Sequence, residues 1–391
     1  MNVNEQQQHI VYEILKSASG QNFVVSGGPG TGKSLLAIKL FQALKGMGRK
    51  KVLFMMYNNP LAQYSRQQCE CDAYHEIKTS SSWLGSKRIL GKINNAKTAE
   101  EKNGIFEDLA SERGEKDAKK TYDTIIIDEA QDFPEGFMEL MATYAAQVIC
   151  FIDPNQAIRE NKMSVEQLKS ALCTQFDFIL DKNYRNAQKI IDFSKLFWNG
   201  GEKLFPEKSA NAENSIVNIY SIPQNKRRVM QDFEVPVLDI SFVKEKIRSI
   251  IENAPDKKIG IFVNGGRNNQ GVKEAYDKFF SSNDKFNVQC YLSDRYESTD
   301  LDFEKNGVYL LSFGTMKGLE FDIVIIPDFD GIRKMSFTED NPNADKNTIF
   351  TALTRSRNEL HLFVNGKRQS KKFIDVSPIY DANNRNLFNW E

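Results

Sequence analysis

A glycine-rich stretch near the amino terminus constrains the fold of this chain more than any other feature. Residues 27–34 read GGPGTGKS, directly after the apolar run NFVVS at 22–26 and directly before the helical pattern LLAIKLFQAL. A strand, a glycine-rich loop and a helix in this order form a phosphate-binding loop. Backbone N–H groups surround phosphate oxygens there, and the helix amino terminus attracts negative charge. The sequence therefore predicts a nucleotide site, with an ordinary glycine-rich turn as the alternative.

The side chains of this loop suit a nucleoside triphosphate and a magnesium ion. Lys33 would supply a point charge to the terminal phosphates, and the Ser34 hydroxyl would ligate Mg²⁺. We therefore expect ATP and Mg²⁺ as cofactors. The loop residues expected at the nucleotide are Gly28, Gly30, Thr31, Gly32, Lys33 and Ser34.

Short apolar runs rich in β-branched residues recur along the whole chain. They lie at 22–26, 51–56, 124–128, 148–153, 176–180, 258–263, 307–312, 322–327 and 360–364. Between them are longer amphipathic stretches with helical spacing, such as 240–251. Strands that alternate with helices predict an α/β fold with parallel sheets covered on both faces. The 391 residues are long for a single core. We expect two domains, 1–176 and 177–391, with a short helical insertion at 85–121.

A pair of acidic residues follows the third apolar run. The stretch TYDTIIIDEAQDF places Asp128 and Glu129 at the carboxyl end of a buried strand. Ligands of open α/β sheets bind at that edge. Asp128 is then positioned to hold Mg²⁺, and Glu129 to orient or deprotonate the attacking water. The alternative is a solvated acidic end of a loop.

Composition narrows the cellular setting and excludes some kinds of site. The chain carries 52 basic and 52 acidic side chains, so any contact with nucleic acid has to come from a local basic strip. Three histidines and five cysteines are too scattered to predict a zinc site. Neither a signal peptide pattern nor a run of about 20 apolar residues is visible, so we expect a cytoplasmic protein without a membrane anchor.

Nine sequence blocks occur in a fixed order from residue 3 to about residue 365. They are VNEQQQHIV, GGPGTGKS, YNNPLAQ, TSSSW, DEAQDF, IDPNQ, NYRN, TMKGLEFD and FTALTRSR. This order resembles the UvrD/Rep-type helicases of superfamily 1. The resemblance implies two RecA-like, doubly wound parallel-sheet domains with the nucleotide site at their interface. It also implies an ATP-driven translocase or helicase that moves on single-stranded DNA, with RNA as an alternative.

The resemblance assigns further nucleotide contacts position by position. They are Gln7 for the adenine edge, Tyr184 for stacking on the base, Glu320 for the ribose, Gln156 for sensing the γ-phosphate, Arg185 for a phosphate contact from the second domain and Arg355 for the arginine finger. An arginine of this kind stabilises the charge of the transition state. Arg357, two residues on, has the weaker claim to this role, and a surface charge is its alternative.

The same comparison implies four nucleic-acid contacts, at Asn58, Thr79, Trp83 and Ser312. Trp83 is the best candidate for stacking against a base, although a tryptophan near a strand end is equally often a core residue. The KGLEF block implies 3′ to 5′ movement. The TALTR block also resembles the opposite-polarity RecD-like branch.

Two departures from the family pattern bear on function. Arg159 and Asn161 stand where the relatives place aromatic residues that stack on single-stranded bases. The insertion at 85–121 is too short for the accessory domain of larger relatives. We therefore expect a protein partner, such as a nuclease or a loader, and weak unwinding by the chain alone. The alternative function is an ATP-gated clamp on nucleic acid or on a partner, without processive unwinding.

Overall fold

The computed structural model describes most of the chain. The described residues are 4–17, 20–69, 75–158, 163–198, 209–230, 233–238, 240–264, 274, 278–280, 286–292, 300–334, 341–366 and 373–391. They form two compact units, the first built largely from Met1–Arg185 and the second largely from Ser209–Ser336 and Thr348–Glu391.

The first unit is organised around a six-stranded parallel sheet. Its strands are β1 Phe23–Gly27, β2 Val52–Met56, β3 Ile77–Thr79, β4 Tyr122–Ile127, β5 Ala145–Ile152 and β6 Asp177–Leu180. The strand order is β3-β2-β4-β5-β1-β6. Since β5 lies between β4 and β1, the loops after these three strands are neighbours at one edge. Strand β6 belongs to this sheet, so the unit includes residues beyond the predicted boundary at 176.

Helices cover both faces of this sheet. They are α1 Glu5–Lys16, α2 Lys33–Gly46, α3 Asn59–Gln68, α4 Ser80–Ser86, α5 Leu90–Asn95, α6 Ala99–Glu115, α7 Glu135–Tyr144 and α8 Val165–Ala171. Side chains of β1 alternate between two apolar clusters, with Val24 in one and Phe23 and Val25 in the other. This alternation follows from the pleat of a strand that is buried on both faces. Helices α5 and α6 lie in the predicted insertion.

The second unit has its own seven-stranded parallel sheet, in the order β13-β14-β12-β15-β16-β9-β17. The remaining strands of the described chain are β7 Asn183–Ala187, β8 Ser209–Asn211, β9 Ile216–Ser221, β10 Gln224–Met230, β11 Phe233–Leu238, β12 Lys258–Val263, β13 Val288–Tyr291, β14 Gly307–Ser312, β15 Phe321–Ile326, β16 Ser356–Val364 and β17 Asn389–Trp390. Strands β10 and β11 pair as an antiparallel hairpin. The further helices are α9 Gln188–Ser194, α10 Ile240–Glu252 and α11 Ala344–Leu353.

Both main sheets are parallel, and their strands alternate with helices along the chain, which confirms the predicted α/β fold class. None of the described helices combines the length and the apolar character that a bilayer-spanning segment needs.

Candidate nucleotide site

Lys33 lies within its own glycine-rich loop, at the carboxyl edge of the first sheet. Its Nζ donates hydrogen bonds to the carbonyl oxygens of Gly27 at 2.8 Å and Gly28 at 2.9 Å. The same atom lies 3.7 Å from Asp153 Oδ2. Burial lowers the pKa of Lys33, and the carboxylates of Asp153, Glu129 and Asp128 oppose that shift. The ammonium group is thus surrounded by acceptors of the kind that phosphate oxygens would replace.

The backbone of the loop leaves no room for side chains at two positions. Gly30 and Gly32 have φ angles of +72° and +85°, in the left-handed region that favours glycine. A Cβ atom at Gly30 would lie 2.3 Å from Asn183 Oδ1, and one at Gly32 would lie 2.5 Å from Gln7 Nε2. Gln7 donates from Nε2 to the Thr31 carbonyl at 3.0 Å. The residue predicted to read adenine therefore contacts the phosphate loop directly.

Gly32 is also the residue before the first turn of α2, and it offers no side-chain cap. The first N–H groups of a helix have no partner within the helix, and they carry the positive end of its dipole. The start of α2 at Lys33 is therefore suited to a phosphate group.

Asp128 follows β4 and is fully buried. Its Oδ1 accepts a hydrogen bond from the Glu129 N–H at 3.0 Å, whereas its Oδ2 has no hydrogen-bond partner among the described residues. Burial and the neighbouring charge of Glu129 raise the pKa of Asp128 to about 6, against a hydrogen bond from Ser34 and the charge of Lys33. A buried carboxylate oxygen without a partner beside a serine hydroxyl fits the oxygen ligands that Mg²⁺ prefers.

Glu129 is held in an unusual conformation. Its φ and ψ angles are 57° and 45°, in the left-handed region that non-glycine residues seldom adopt. Gln131 Nε2 donates to Glu129 Oε2 at 2.5 Å, and Gln131 Oε1 accepts from the Asp153 N–H at 3.0 Å. Both ends of this buried amide are therefore engaged, and it joins the loop after β4 to the loop after β5.

Asp153 and Gln131 are the site residues that sequence reasoning missed. Asp153 is fully buried, and its Oδ2 accepts from Gln156 Nε2 at 2.9 Å as well as facing Lys33. A signal was present, because Asp153 is the first residue after β5, just as Asp128 is the first residue after β4. The structure thereby brings Gln156, predicted to sense the γ-phosphate, to the same edge as Lys33.

Tyr184 and Arg185 lie beside the phosphate loop in the first unit. The Tyr184 N–H donates to the Gly30 carbonyl at 2.9 Å, and the Tyr184 side chain is 38% exposed, as a ring that stacks on a base has to be. The Arg185 N–H donates to Asn183 Oδ1 at 2.9 Å, and the Arg185 charge lowers the pKa of Lys33. The resemblance implied that Arg185 acts from the second domain, whereas the structure places it in the first compact unit.

Glu320 and Arg355 lie within the second unit, at the amino ends of β15 and β16. Arg355 donates from Nε to the Thr351 carbonyl at 3.1 Å and from Nη1 to the Leu319 carbonyl at 3.3 Å. Arg357 Nη1 lies 3.7 Å from Glu320 Oε1. The structure therefore brings Glu320 and both arginines of FTALTRSR together.

The proposed nucleic-acid residues have different environments. Asn58 caps α3 by accepting from the Leu61 N–H at 2.8 Å. Thr79 caps α4 in the same way, through the Ser82 N–H. Ser312 is buried and contacts Thr315 Oγ1, at the carboxyl end of β14 and thus at the opposite sheet edge from Glu320 and Arg355. Arg159 and Asn161 lie outside the described residues.

The prediction that Trp83 stacks on a nucleic-acid base is wrong. Its side chain is 0% exposed and lies in the core between α4 and α7. The ring packs edge-on against Phe137 and Tyr144, and Nε1 donates to Tyr122 Oη at 3.1 Å. Because the ring is enclosed and its polar atom is satisfied, Trp83 stabilises this core instead.

Solved helicase structures resemble the chain at low sequence identity. Pif1 helicase from Candida albicans has 13% identity and a TM-score of 0.45, and the match covers 97% of this chain and 98% of Pif1. The helicase nonstructural protein 10 of an arterivirus has 10% identity and a TM-score of 0.40, over 89% of this chain and 60% of the viral one. A structure of arterivirus nonstructural protein 10 with DNA has 12% identity and a TM-score of 0.37, over 89% and 62%. This chain therefore spans less than two thirds of the viral proteins.

No curated protein matches the sequence significantly. A protein-family model described as "Schlafen group 3, DNA/RNA helicase domain" matches residues 20–217, which is half of the chain. The chain belongs to this family of Schlafen-type helicase domains, which confirms the prediction from its motifs that it has a helicase-type domain.

Proposed function

We propose that this protein is a superfamily 1 motor of the UvrD/Rep type that hydrolyses ATP to move along single-stranded nucleic acid. One observation carries the proposal. The phosphate-loop lysine, the acidic pair after β4 and the aspartate after β5 meet at one sheet edge, where Lys33 Nζ lies 3.7 Å from Asp153 Oδ2 and the Gln131 amide bridges Glu129 to the Asp153 N–H. Such an arrangement of one cation and several carboxylates at a phosphate loop is suited to phosphoryl transfer.

Each described side chain has a defined task in this proposal. Lys33 would move its hydrogen bonds from the loop carbonyls to the terminal phosphates. Ser34 and Asp128 would hold Mg²⁺, which supplies neutralising charge at the phosphates. Glu129, oriented by Gln131, would accept a proton from the attacking water.

Further residues would recognise the nucleotide and its transition state. We propose Gln7 and Tyr184 for the base, Glu320 for the ribose, Gln156 for sensing the γ-phosphate, and Arg185 and Arg355 for stabilising the transition state. The last two add positive charge where negative charge develops.

The nucleic acid remains part of the proposal. The family description, which names a DNA/RNA helicase domain, supports a nucleic-acid ligand. We propose single-stranded DNA as the track, RNA as its competitor, 3′ to 5′ movement, and Asn58, Thr79 and Ser312 as contacts. The compact insertion, α5 and α6, supports the expectation that duplex unwinding needs a partner such as a nuclease or a loader.

The decisive experiment measures ATP hydrolysis by the purified chain with Mg²⁺, alone and with single-stranded DNA or RNA. We expect stimulation by nucleic acid. Lys33→Ala should weaken binding of a fluorescent ATP analogue, whereas Glu129→Gln should bind the analogue normally and fail to hydrolyse ATP.

Three outcomes separate the alternatives. Wild-type turnover by the Glu129→Gln protein would remove Glu129 as the base. ATP-dependent binding of nucleic acid without turnover by the native protein would favour the ATP-gated clamp. Efficient displacement of a tailed duplex by the chain alone would remove the need for a partner.

A further inference from the structure

Four cations lie on neighbouring elements of the first unit that the nucleotide site does not use, and two of them, Arg113 and Lys87, lie over the ring of Tyr144. We call Lys78, Lys87, Arg113 and Lys120 the Tyr144 cation cluster. The Arg113 Cζ atom lies 3.6 Å from the centroid of the Tyr144 ring, and Lys87 Nζ lies 5.3 Å from it. The cluster therefore joins β3, the end of α4, helix α6 and the segment before β4.

Arg113 is held in a fixed orientation. Its guanidinium stacks on Tyr144, Nε donates to Thr143 Oγ1 at 3.1 Å, and Nη2 donates to the Lys119 carbonyl at 3.4 Å. The fork of a guanidinium carries five N–H donors. Within the described part of the chain, the other N–H groups of Arg113 have no hydrogen-bond partner. A fixed guanidinium with free donors is suited to a planar or tetrahedral oxyanion, which it can contact through two hydrogen bonds.

No ion pair to the four cations of this cluster is found in the part of the chain that the structure describes. Lys116, on the next turn after Arg113, shows the ordinary situation, since it pairs with Glu112 at 3.6 Å. Burial lowers the pKa of Lys87, and the charges of Arg113 and Lys78 lower it further; burial also lowers the pKa of Lys120, with a smaller effect of Arg113. Arg113 and Lys87 thus bring two like charges to the same ring.

We propose that the Tyr144 cation cluster binds the phosphate backbone of nucleic acid, as a contact separate from the motif residues. The choice of ligand rests on the proposed function. Phosphates spaced along a strand supply several negative charges at once, which matches four cations spread over neighbouring elements. Lys78 directly precedes Thr79, the proposed contact at the end of β3, so the cluster extends that contact over the surface of the insertion. Double-stranded and single-stranded nucleic acid carry the same phosphates, and the experiment compares binding to the two.

The test is equilibrium binding of labelled single-stranded DNA and of a tailed duplex by fluorescence anisotropy, without nucleotide, between 50 and 200 mM salt. Lys87→Gln/Lys120→Gln removes two phosphate contacts and replaces each lysine with a neutral, polar side chain that is one atom shorter. Each contact contributes a slope of about −0.9 on a duplex and about −0.7 on a single strand to log K against log salt. Raising the salt fourfold weakens binding of both proteins. The fold loss of affinity of the variant should be smaller than that of wild type, by about twelvefold on a duplex and about sevenfold on a single strand.

Two further variants keep the interpretation clear. Lys116→Gln makes the same charge change at an exposed residue of the insertion that is already paired, so its slope should equal that of wild type. Arg113→Lys keeps the charge but loses the fork, so affinity should fall with an almost unchanged slope. ATP hydrolysis without nucleic acid should be unaffected in all three variants, since none of these residues touches the nucleotide site.

The outcomes separate this inference from the proposed function. Binding that depends on the cluster supports the inference even if nucleic acid fails to stimulate ATP hydrolysis, which would count against the proposed function alone. Equal slopes for wild type and Lys87→Gln/Lys120→Gln on both ligands, or no binding of either ligand by wild type, would overturn the inference. The inference would also be overturned if Lys87→Gln/Lys120→Gln bound DNA as wild type does but lost affinity for a polyglutamate peptide. That result would favour an acidic protein partner.

Discussion

Gln131 donates a hydrogen bond from Nε2 to Glu129 Oε2 at 2.5 Å, and its other end accepts from the Asp153 backbone. Gln131→Ala should therefore lower kcat for ATP hydrolysis by about tenfold, because the proposed base loses its orientation, and a tenfold loss corresponds to about 1.4 kcal/mol. The dissociation constant of ATP should stay within about twofold of wild type, which a general loss of structure would not allow. Gln42→Ala is the matched control, since the Gln42 side chain donates to the Gln68 carbonyl, away from the site. Equal kcat values for both variants would contradict the role.

Asp128 should make the stability of the nucleotide-free protein depend on pH. Its pKa is raised to about 6 from 3.8, so between these pH values the folded protein keeps a proton that the unfolded chain has released. Stability from this group is therefore lost as pH rises from about 4 to about 6, and the full cost is present above that range. Asp128→Asn removes the charge and should raise the melting temperature at pH 7.5 by roughly 3 °C or more, with little difference at pH 4.5.

Differential scanning fluorimetry in EDTA checks this expectation. Asp108→Asn changes an exposed carboxylate on α6 and should leave the melting temperature unaltered at both pH values. A melting temperature of Asp128→Asn that differs from wild type equally at pH 4.5 and pH 7.5 would show that Asp128 does not titrate in this range. Addition of Mg²⁺ and ADP should stabilise wild type much more than Asp128→Asn.

The two arginines of FTALTRSR should differ sharply in their effect on turnover. Arg355→Ala should lower kcat by about 10² or more, equivalent to ~3 kcal/mol of lost transition-state stabilisation, with a much smaller change in KM. Arg357→Ala should remain near wild type, because Arg357 is a partly exposed partner of Glu320. Since Arg355 also bonds to the carbonyls of Thr351 and Leu319, circular dichroism has to show that the variant is folded. Turnover of Arg355→Ala within threefold of wild type would leave Arg355 with a structural role only.

Trp83 should affect stability and not nucleic-acid affinity. Trp83→Ala should destabilise the first unit by about 3–5 kcal/mol, the usual cost of removing a buried aromatic ring. Trp83→Phe keeps most of the packing and loses the hydrogen bond to Tyr122, which should cost about 1 kcal/mol. Urea denaturation measures both effects. A folded Trp83→Phe protein with strongly reduced affinity for single-stranded DNA would show that Trp83 contributes to nucleic-acid binding after all.

The buried strands were predictable because burial on both faces leaves a continuous apolar run in the sequence. Strands β12 and β14 have the predicted bounds, 258–263 and 307–312. The missed strands lack such a run. Strand β3 has three residues, and β9 alternates with polar side chains such as Asn218. Strand β17 has two residues and is defined by its pairing with β9, a contact that no local pattern reveals.

The candidate site was predictable where a motif carries its own context, and not where two loops meet. Lys33, Asp128 and Gln156 are placed by the strands before them. The bridge from Gln131 to Asp153 exists because β5 is the neighbour of β4, and the sequence does not report strand order. The prediction for Trp83 was wrong for a related reason, since the burial of Trp83 depends on α7, more than fifty residues away along the chain.

Because the backbone of Glu129 is left-handed, selection for stability and selection for activity should favour different residues at position 129. A side chain in this region costs roughly 1–2 kcal/mol, and glycine or asparagine would relieve much of that cost. Neither of these residues carries a carboxylate. A directed-evolution screen for heat resistance should therefore enrich glycine or asparagine at position 129, whereas a screen for ATP turnover should restore glutamate. Variants selected for heat resistance would then lose ATP hydrolysis, because the φ and ψ angles of residue 129 favour residues that have no carboxylate.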